Sequence, residues 1–180
     1  MEGLVELVPQ SGAMVKNPTR EDATEVYEMR EAIEPFAAAK ACPLIGVTQI
    51  KSLQATLTEM KKVMTRAKPG KTIRRQDAAS FDQADLKFHL TILEAANNHR
   101  MFKAVGDFHL LTGIIGADRH DYDTDVLEMT ISDHTAILKG LTQRKPEQAH
   151  SAMQTHIRNS RQQALSVMLP GPKSSFTFPN

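Results

Sequence analysis

The sequence predicts an all-α fold, an antiparallel bundle of six or seven helices preceded by a short β-hairpin. Apolar residues recur at helical spacing over most of the chain. Aromatic residues make up 5% and Trp is absent, while Met (9) and Ala are frequent, a balance that favours a helical core over a β-sandwich. Proline and glycine punctuation cuts the periodic stretches into ordinary helix lengths. A chain of 180 residues is long enough for one domain that buries roughly 70% of its unfolded surface.

Residues 1–16 stand apart from the rest. Leu4-Val5-Glu6-Leu7-Val8 is β-prone, Pro9-Gln10-Ser11-Gly12 signals a turn, and Ala13-Met14-Val15 follows. A hairpin of that size is marginal by itself in water, so it is expected to belong to something larger. The first helix is expected from about Arg20 to Ala41, with Thr19 as N-cap and Asp22 three residues on. Val26, Arg30, Ile33 and Ala37 form one stripe on it, and Pro35 should kink it or displace a turn. The second spans about Val47 to Arg66, with Ile50, Leu53, Leu57, Met60 and Met64 inward, and Pro69-Gly70 ends it.

A third helix is expected from about Asp82 to Ala96. A fourth follows Asn98, with Val105, Leu110 and Ile114 as core candidates. Asp118 to Asp125 reads as an acidic loop. A fifth helix covers about Val126 to Leu141 and a sixth about Pro146 to Met168, with Pro at the favoured first position. Residues 17–169 thus form one helical domain. The segment 170–180, with three prolines, is expected to be a disordered tail.

The net charge of +1 gives no global attraction to nucleic acid or anionic membrane. Cys42 is the only cysteine, so no disulfide can form within the chain, as suits a reducing, cytoplasmic setting. No signal peptide is evident, and no apolar run approaches the ~20 residues that span a bilayer. Cys42 itself has no evident partner for nucleophilic chemistry.

Four residues carry the chemistry. Asp85 and His89 are four apart and share a helical face, continued by Ile92 and Ala96. His134 and His156 each lie eleven residues from Lys145, in the turn Arg144-Lys145-Pro146. Equal distances from a hairpin turn put them at the same height on antiparallel helices, roughly 16 Å from it. His134 shares its stripe with Ile131, Leu138 and Leu141, and His156 with Met153 and Ser160. Taken singly, each is an ordinary surface pair or a hydrogen-bonded core histidine. Together, a buried carboxylate and three imidazoles cost several kcal/mol unless paired, hydrogen-bonded or metal-bound. Three nitrogens and one oxygen suit Zn, Ni, Mn or Fe, and an octahedral site would keep two positions open for water or a small carboxylate.

The pattern Asp85-x3-His89, Asn98, His134-x2-Ile137-Leu138 and Glu147-x2-His150-x2-Met153-x2-His156 resembles the ligand-binding domain of the FadR branch of the GntR transcriptional regulators. Tyr27-Glu28-Met29-Arg30-Glu31-Ala32-Ile33-Glu34 resembles that domain's opening helix, and the likeness covers about residues 20 to 168. Glu2 to Glu6, Pro9 and Gly12 to Val15 resemble the wing that closes the family's winged helix-turn-helix, so the chain reads as a truncated regulator without a recognition helix. Specific operator binding, which needs a helix in the major groove, is therefore not expected of it.

The resemblance implies a metal on Asp85, His89, His134 and His156, a small organic acid as effector, DNA as partner through the missing N-terminal domain, and a homodimer. It also implies an effector role for Arg30, with Arg119 and Asn98 as further candidates. A guanidinium facing a cavity can pair bidentately with a carboxylate, whereas the alternatives for Arg30 are an ion pair with Glu34 or a side chain reaching solvent. His99 departs from the family, which often has proline there, and this should affect only the helix start.

A metal-dependent enzyme is the alternative function. It would need a base beside the metal, and no His-Glu-x-x-His motif or evident base exists. Lys61 to Arg75 holds seven basic residues and no acid. It reads as an exposed helix end and loop, with phosphate contacts in an intact regulator as the other possibility. Asp121-x-Asp123-x-Asp125 begins like a calcium loop but has Val126 at the sixth position and Ser132 at the twelfth, so it reads as a solvated loop.

Overall fold

The computed structural model describes residues 5–8, 12–15, 18–68, 73–116 and 124–168. Two short strands, β1 (Val5–Val8) and β2 (Gly12–Val15), pair antiparallel with Val5 opposite Val15. Six helices follow among the described residues: α1 (Arg20–Ala41), α2 (Val47–Arg66), α3 (Arg75–Ala95), α4 (His99–Gly116), α5 (Thr124–Thr142) and α6 (Pro146–Ser166). The expected all-α bundle is what the chain forms. The acidic stretch 118–123 and the tail from 169 onward lie outside the described residues.

Local chemistry sets the helix ends. Thr19 and Asp22 close a capping box: the Thr19 hydroxyl accepts from the Asp22 N–H at 3.1 Å, and the Asp22 carboxylate accepts from the Thr19 N–H at 2.7 Å. Pro35 removes one backbone donor and was expected to kink α1 or displace a turn. The helix is continuous from Arg20 to Ala41, with Pro35 buried in it. Arg20, at the start of α1, donates to the carbonyls of Leu165 and Met168 and so satisfies the C-terminal end of α6.

The third helix starts seven residues before the expected Asp82. Asp77 in its first turn accepts from Arg66 Nε at 2.9 Å and Arg74 Nε at 2.7 Å, which ties the end of α2 to the start of α3. Ala78 and Phe81, three residues apart, are both buried and extend the apolar face of α3 backwards. Two cations of the basic run are thus committed to an internal carboxylate. Leu110, expected in the core, is 52% exposed, and the side chain of Ile114 lies outside the described residues.

The core is continuous. Leu53, Leu57 and Met60 of α2 meet Phe81, Phe88 and Ile92 of α3, Ile131, Ile137 and Leu141 of α5, and Met153 and Ile157 of α6 in one cluster. Helix α1 packs along α6 and α4, and α2 packs on α3 and α5. The α5–α6 turn is tight: Arg144 has φ of 57°, and Lys145 N–H donates to the Gly140 carbonyl at 3.0 Å. A Cβ at Gly140 would lie 2.7 Å from the Ala149 nitrogen, so only glycine lets α6 approach this closely.

Candidate metal centre and effector cavity

Asp85, His89, His134 and His156 converge, each offering a ligand atom within 4.8 Å of all the others. Helix α3 brings Asp85 and His89 on one face, and the α5–α6 hairpin brings the other two. His134 and His156, equidistant from the turn, have ring centroids 4.4 Å apart. The three imidazoles are 0–2% exposed. The Asp85 side chain keeps 25% of its surface open, toward an adjoining cavity. Phe88 packs edge-on against His134 at 4.3 Å and closes that side.

The outward nitrogens decide the chemistry. His89 Nδ1 contacts a Glu34 carboxylate oxygen, and His134 Nδ1 lies 2.8 Å from the Thr130 carbonyl. Both partners are acceptors only, so both rings carry a proton on Nδ1 and turn Nε2 inward. His134 Nε2 then faces Asp85 Oδ1 at 3.2 Å with no hydrogen-bond partner, and His89 Nε2 lies 3.1 Å from His156 Nε2. His156 Nδ1 is 3.6 Å from the Asp133 carboxylate, too long for a hydrogen bond, and also has no partner. A cation placed among these inward-facing atoms would engage all four residues, of which the His89 and His156 nitrogens are hydrogen-bonded to one another.

A proton on His89 or His156 is a poor candidate for that cation. Burial, the largest effect, lowers the pKa of His89 to about 4 against the opposing pull of Glu34 and Asp85. Burial and the neighbouring His134 lower His156 to about 4 as well. Burial alone would raise Asp85, but His134, His89 and His156 outweigh it and hold the carboxyl well below its ordinary range. At neutral pH Asp85 is therefore a carboxylate, and His89 and His156 are neutral rings. A transition ion fits this donor set, since bonds of about 2.1 Å place neighbouring ligand atoms roughly 3 Å apart.

A cavity of about 340 Å³ opens against Asp85, large enough for a small molecule. Tyr27, Arg30, His109, Thr112 and Thr130 supply polar wall, and Phe81, Leu86, Met129, Ala164 and Val167 apolar wall. Arg30 is 3% exposed, lines this cavity and donates through Nε to Glu34 Oε1 at 2.7 Å. The ion-pair alternative for Arg30 is thus realised, and the side chain still forms part of the cavity wall. Burial opposes the Arg30 charge, and Glu34, Tyr27 and Asp85 together more than offset it.

Asn98 has a different position from the one expected of an effector contact. It does not line the cavity; its Oδ1 accepts from the N–H groups of Arg100 and Met101 at 3.1 and 3.2 Å and caps α4. Arg119 lies outside the described residues. Two residues that sequence reasoning missed join the site. Glu34, weighed only as a local partner of Arg30, also reaches His89, and His109 of α4 approaches Glu34 Oε1 at 3.4 Å with its ring 4.7 Å from that of His89 and tilted 47° to it. Glu34, His89 and His109 form a second group of potential ligands, but Arg30 beside Glu34 already supplies a positive charge there.

Among known proteins, the chain is 25% identical over 168 residues to the Uxu operon regulator of Haemophilus influenzae, covering 88% of this chain and 61% of that protein. It thus spans about six tenths of that curated relative's length. McbR/YncC of E. coli shares the fold at a TM-score of 0.76 and 13% identity, over 91% of this chain and 77% of that one. Lar of Listeria monocytogenes does so at 0.67 and 19%, over 91% and 74%. Residues 25–159 match the FCD domain, a stretch that includes all six helices in whole or part and all four candidate ligands, and the chain belongs to the FCD-domain family of GntR-type transcriptional regulators.

Proposed function

We propose that the chain is the effector-sensing part of a transcriptional regulator, binding a divalent transition metal on Asp85, His89, His134 and His156 and a small organic acid in the adjoining cavity. The observation that carries this reading is the convergence of one carboxylate and three buried imidazole nitrogens, that of His134 without a hydrogen-bond partner, at the wall of a cavity lined by Arg30. The metal would supply a fixed positive charge beside the cavity, and Arg30 a second one, so a carboxylate has two partners of opposite sign. The similarity to an operon regulator supports DNA as the ultimate partner, reached through a winged helix-turn-helix of which β1 and β2 would be the wing. A cytoplasmic homodimer is the form in which we expect it to act, and no helix among the described residues is long and apolar enough to cross a membrane.

Sensing requires that the acid bind one arrangement of the helices better than another. The cavity is placed for this, because α1, α3, α4, α5 and α6 all contribute wall. An enzyme at the same four residues would need a general base at the cavity side of the cluster; Glu34 is held by Arg30 and His89, and His109 approaches Glu34. A thermal-shift panel of small organic acids, run on Zn²⁺-loaded and chelator-treated protein, tests the reading. An acid that stabilises only the loaded form supports it. Acids that act equally on both forms would remove the metal from ligand recognition, and none acting on either would remove the effector.

A further inference from the structure

Glu34 is 1% exposed and belongs to α1, 55 residues before the His89 it contacts. Its two oxygens have separate duties. Oε1 accepts from Arg30 Nε at 2.7 Å, one helical turn back, while Oε2 contacts His89 Nδ1 across the α1–α3 contact. We propose that Glu34 is a positioning residue of the metal centre, acting by dictating which nitrogen of His89 carries the proton. The proposal rests on the metal reading above. It concerns a group that would touch neither metal nor effector.

The inference follows from the inventory of donors and acceptors. An ionised carboxylate has no proton to give, so His89 must be the donor and its proton must sit on Nδ1. Nε2, which points at Asp85, His134 and His156, is then left as a lone pair. Outward hydrogen bonds of this kind orient metal-binding imidazoles and make them more basic. A carboxylate this deeply buried needs a counter-charge. Arg30 supplies it, with Nε 2.7 Å from Oε1 and both side chains buried. Arg30 therefore keeps Glu34 ionised, and Glu34 keeps His89 in the metal-facing tautomer. His134 obtains the same result locally from the carbonyl of Thr130, four residues back on its own helix. His89 has no such local acceptor described and depends on α1.

Glu34→Gln is a near-isosteric test with a sharp consequence. Arg30 can only donate, so the new amide oxygen must face Arg30 and the NH₂ must face His89. That NH₂ would donate to Nδ1 and drive the proton to Nε2, into the metal site. Imidazole ¹⁵N NMR on metal-free protein reads this directly: Nδ1–H for His89 in the wild type, Nε2–H in Glu34→Gln. Zn²⁺ affinity, measured by competition with a chromophoric chelator, is expected to fall about ten- to a hundredfold in the variant. Nε2–H in the wild type would overturn the proposal even if the variant failed to fold. So would an unchanged tautomer or an unchanged Zn²⁺ affinity in a folded variant. A wild type that takes up no Zn²⁺ would sink the metal reading instead, while the two tautomers would still decide the role of Glu34.

Discussion

His89 and His156 are buried as neutral rings, and that choice has a cost on acidification. Both have folded pKa values of about 4 against an ordinary 6.5, so the unfolded chain binds protons that the folded chain refuses. The stability this implies is fully present above about pH 6.5 and is lost as pH falls toward about 4. Asp85 and Glu34, held below their ordinary range, act in the same direction at still lower pH. Denaturant titrations of metal-free protein should show the midpoint falling steadily through that window. A midpoint that is flat between pH 6.5 and 4 would mean the rings already carry protons in the fold. At this scale the sequence was most legible where spacing is local. Asp85 and His89 share a helical face, and His134 and His156 share a height above Lys145, so all four candidate ligands could be placed without a structure. Glu34 and His109 could not, because their approach to His89 depends on how α1 and α4 lie against α3, and no spacing within one helix reports that. A glutamate on the same stripe as a buried arginine was the one available signal for Glu34.

The helices carry their own tests. Gly140 lies where α5 and α6 come closest, and Gly140→Ala would press a methyl group to 2.7 Å from the Ala149 nitrogen, a backbone atom that cannot rotate away. We expect a loss of about 1–3 kcal/mol in chemical denaturation, the usual range for overpacking. Because α5 and α6 present His134 and His156, weaker metal binding should accompany it. Thr19→Ala removes one half of the capping box of α1 and should cost about 0.5–2 kcal/mol. No change in either variant would show that these ends are not where the bundle is held. The starts of α1 and α6 were legible because Thr19 with Asp22 and Pro146 are direct start signals, and the end of α2 because Pro69-Gly70 follows it. The start of α3 was not. Its first turn lies in a strongly basic run that reads as loop, and only the folded chain shows Asp77 drawing Arg66 and Arg74 together. Leu110 misled in the other direction: helical periodicity assigns a face, but whether that face is covered depends on a neighbour.

For the whole molecule, metal binding and folding are linked. A metal that binds only the folded chain stabilises it by mass action, by about 2.7 kcal/mol at a hundred times its dissociation constant. For a chain of this size that corresponds to a rise in Tm of roughly 5–10 °C. The same bundle joins the two proposed ligands, since Arg30 lines the cavity and holds Glu34, which in turn holds His89. Acid and metal should then strengthen each other's binding by the same factor. The all-α architecture was legible at this scale from periodicity and composition alone, whereas the cavity was not, because it is walled by five helices at once. The measurement that bears most directly on the account is the metal content of the purified chain, determined by mass spectrometry for wild type beside His134→Ala under chelator-free conditions. The account predicts about one transition ion per chain in the wild type and a marked loss in the variant. A wild-type chain free of metal, even after incubation with Zn²⁺, would contradict it and leave the four residues as a polar cluster in the core.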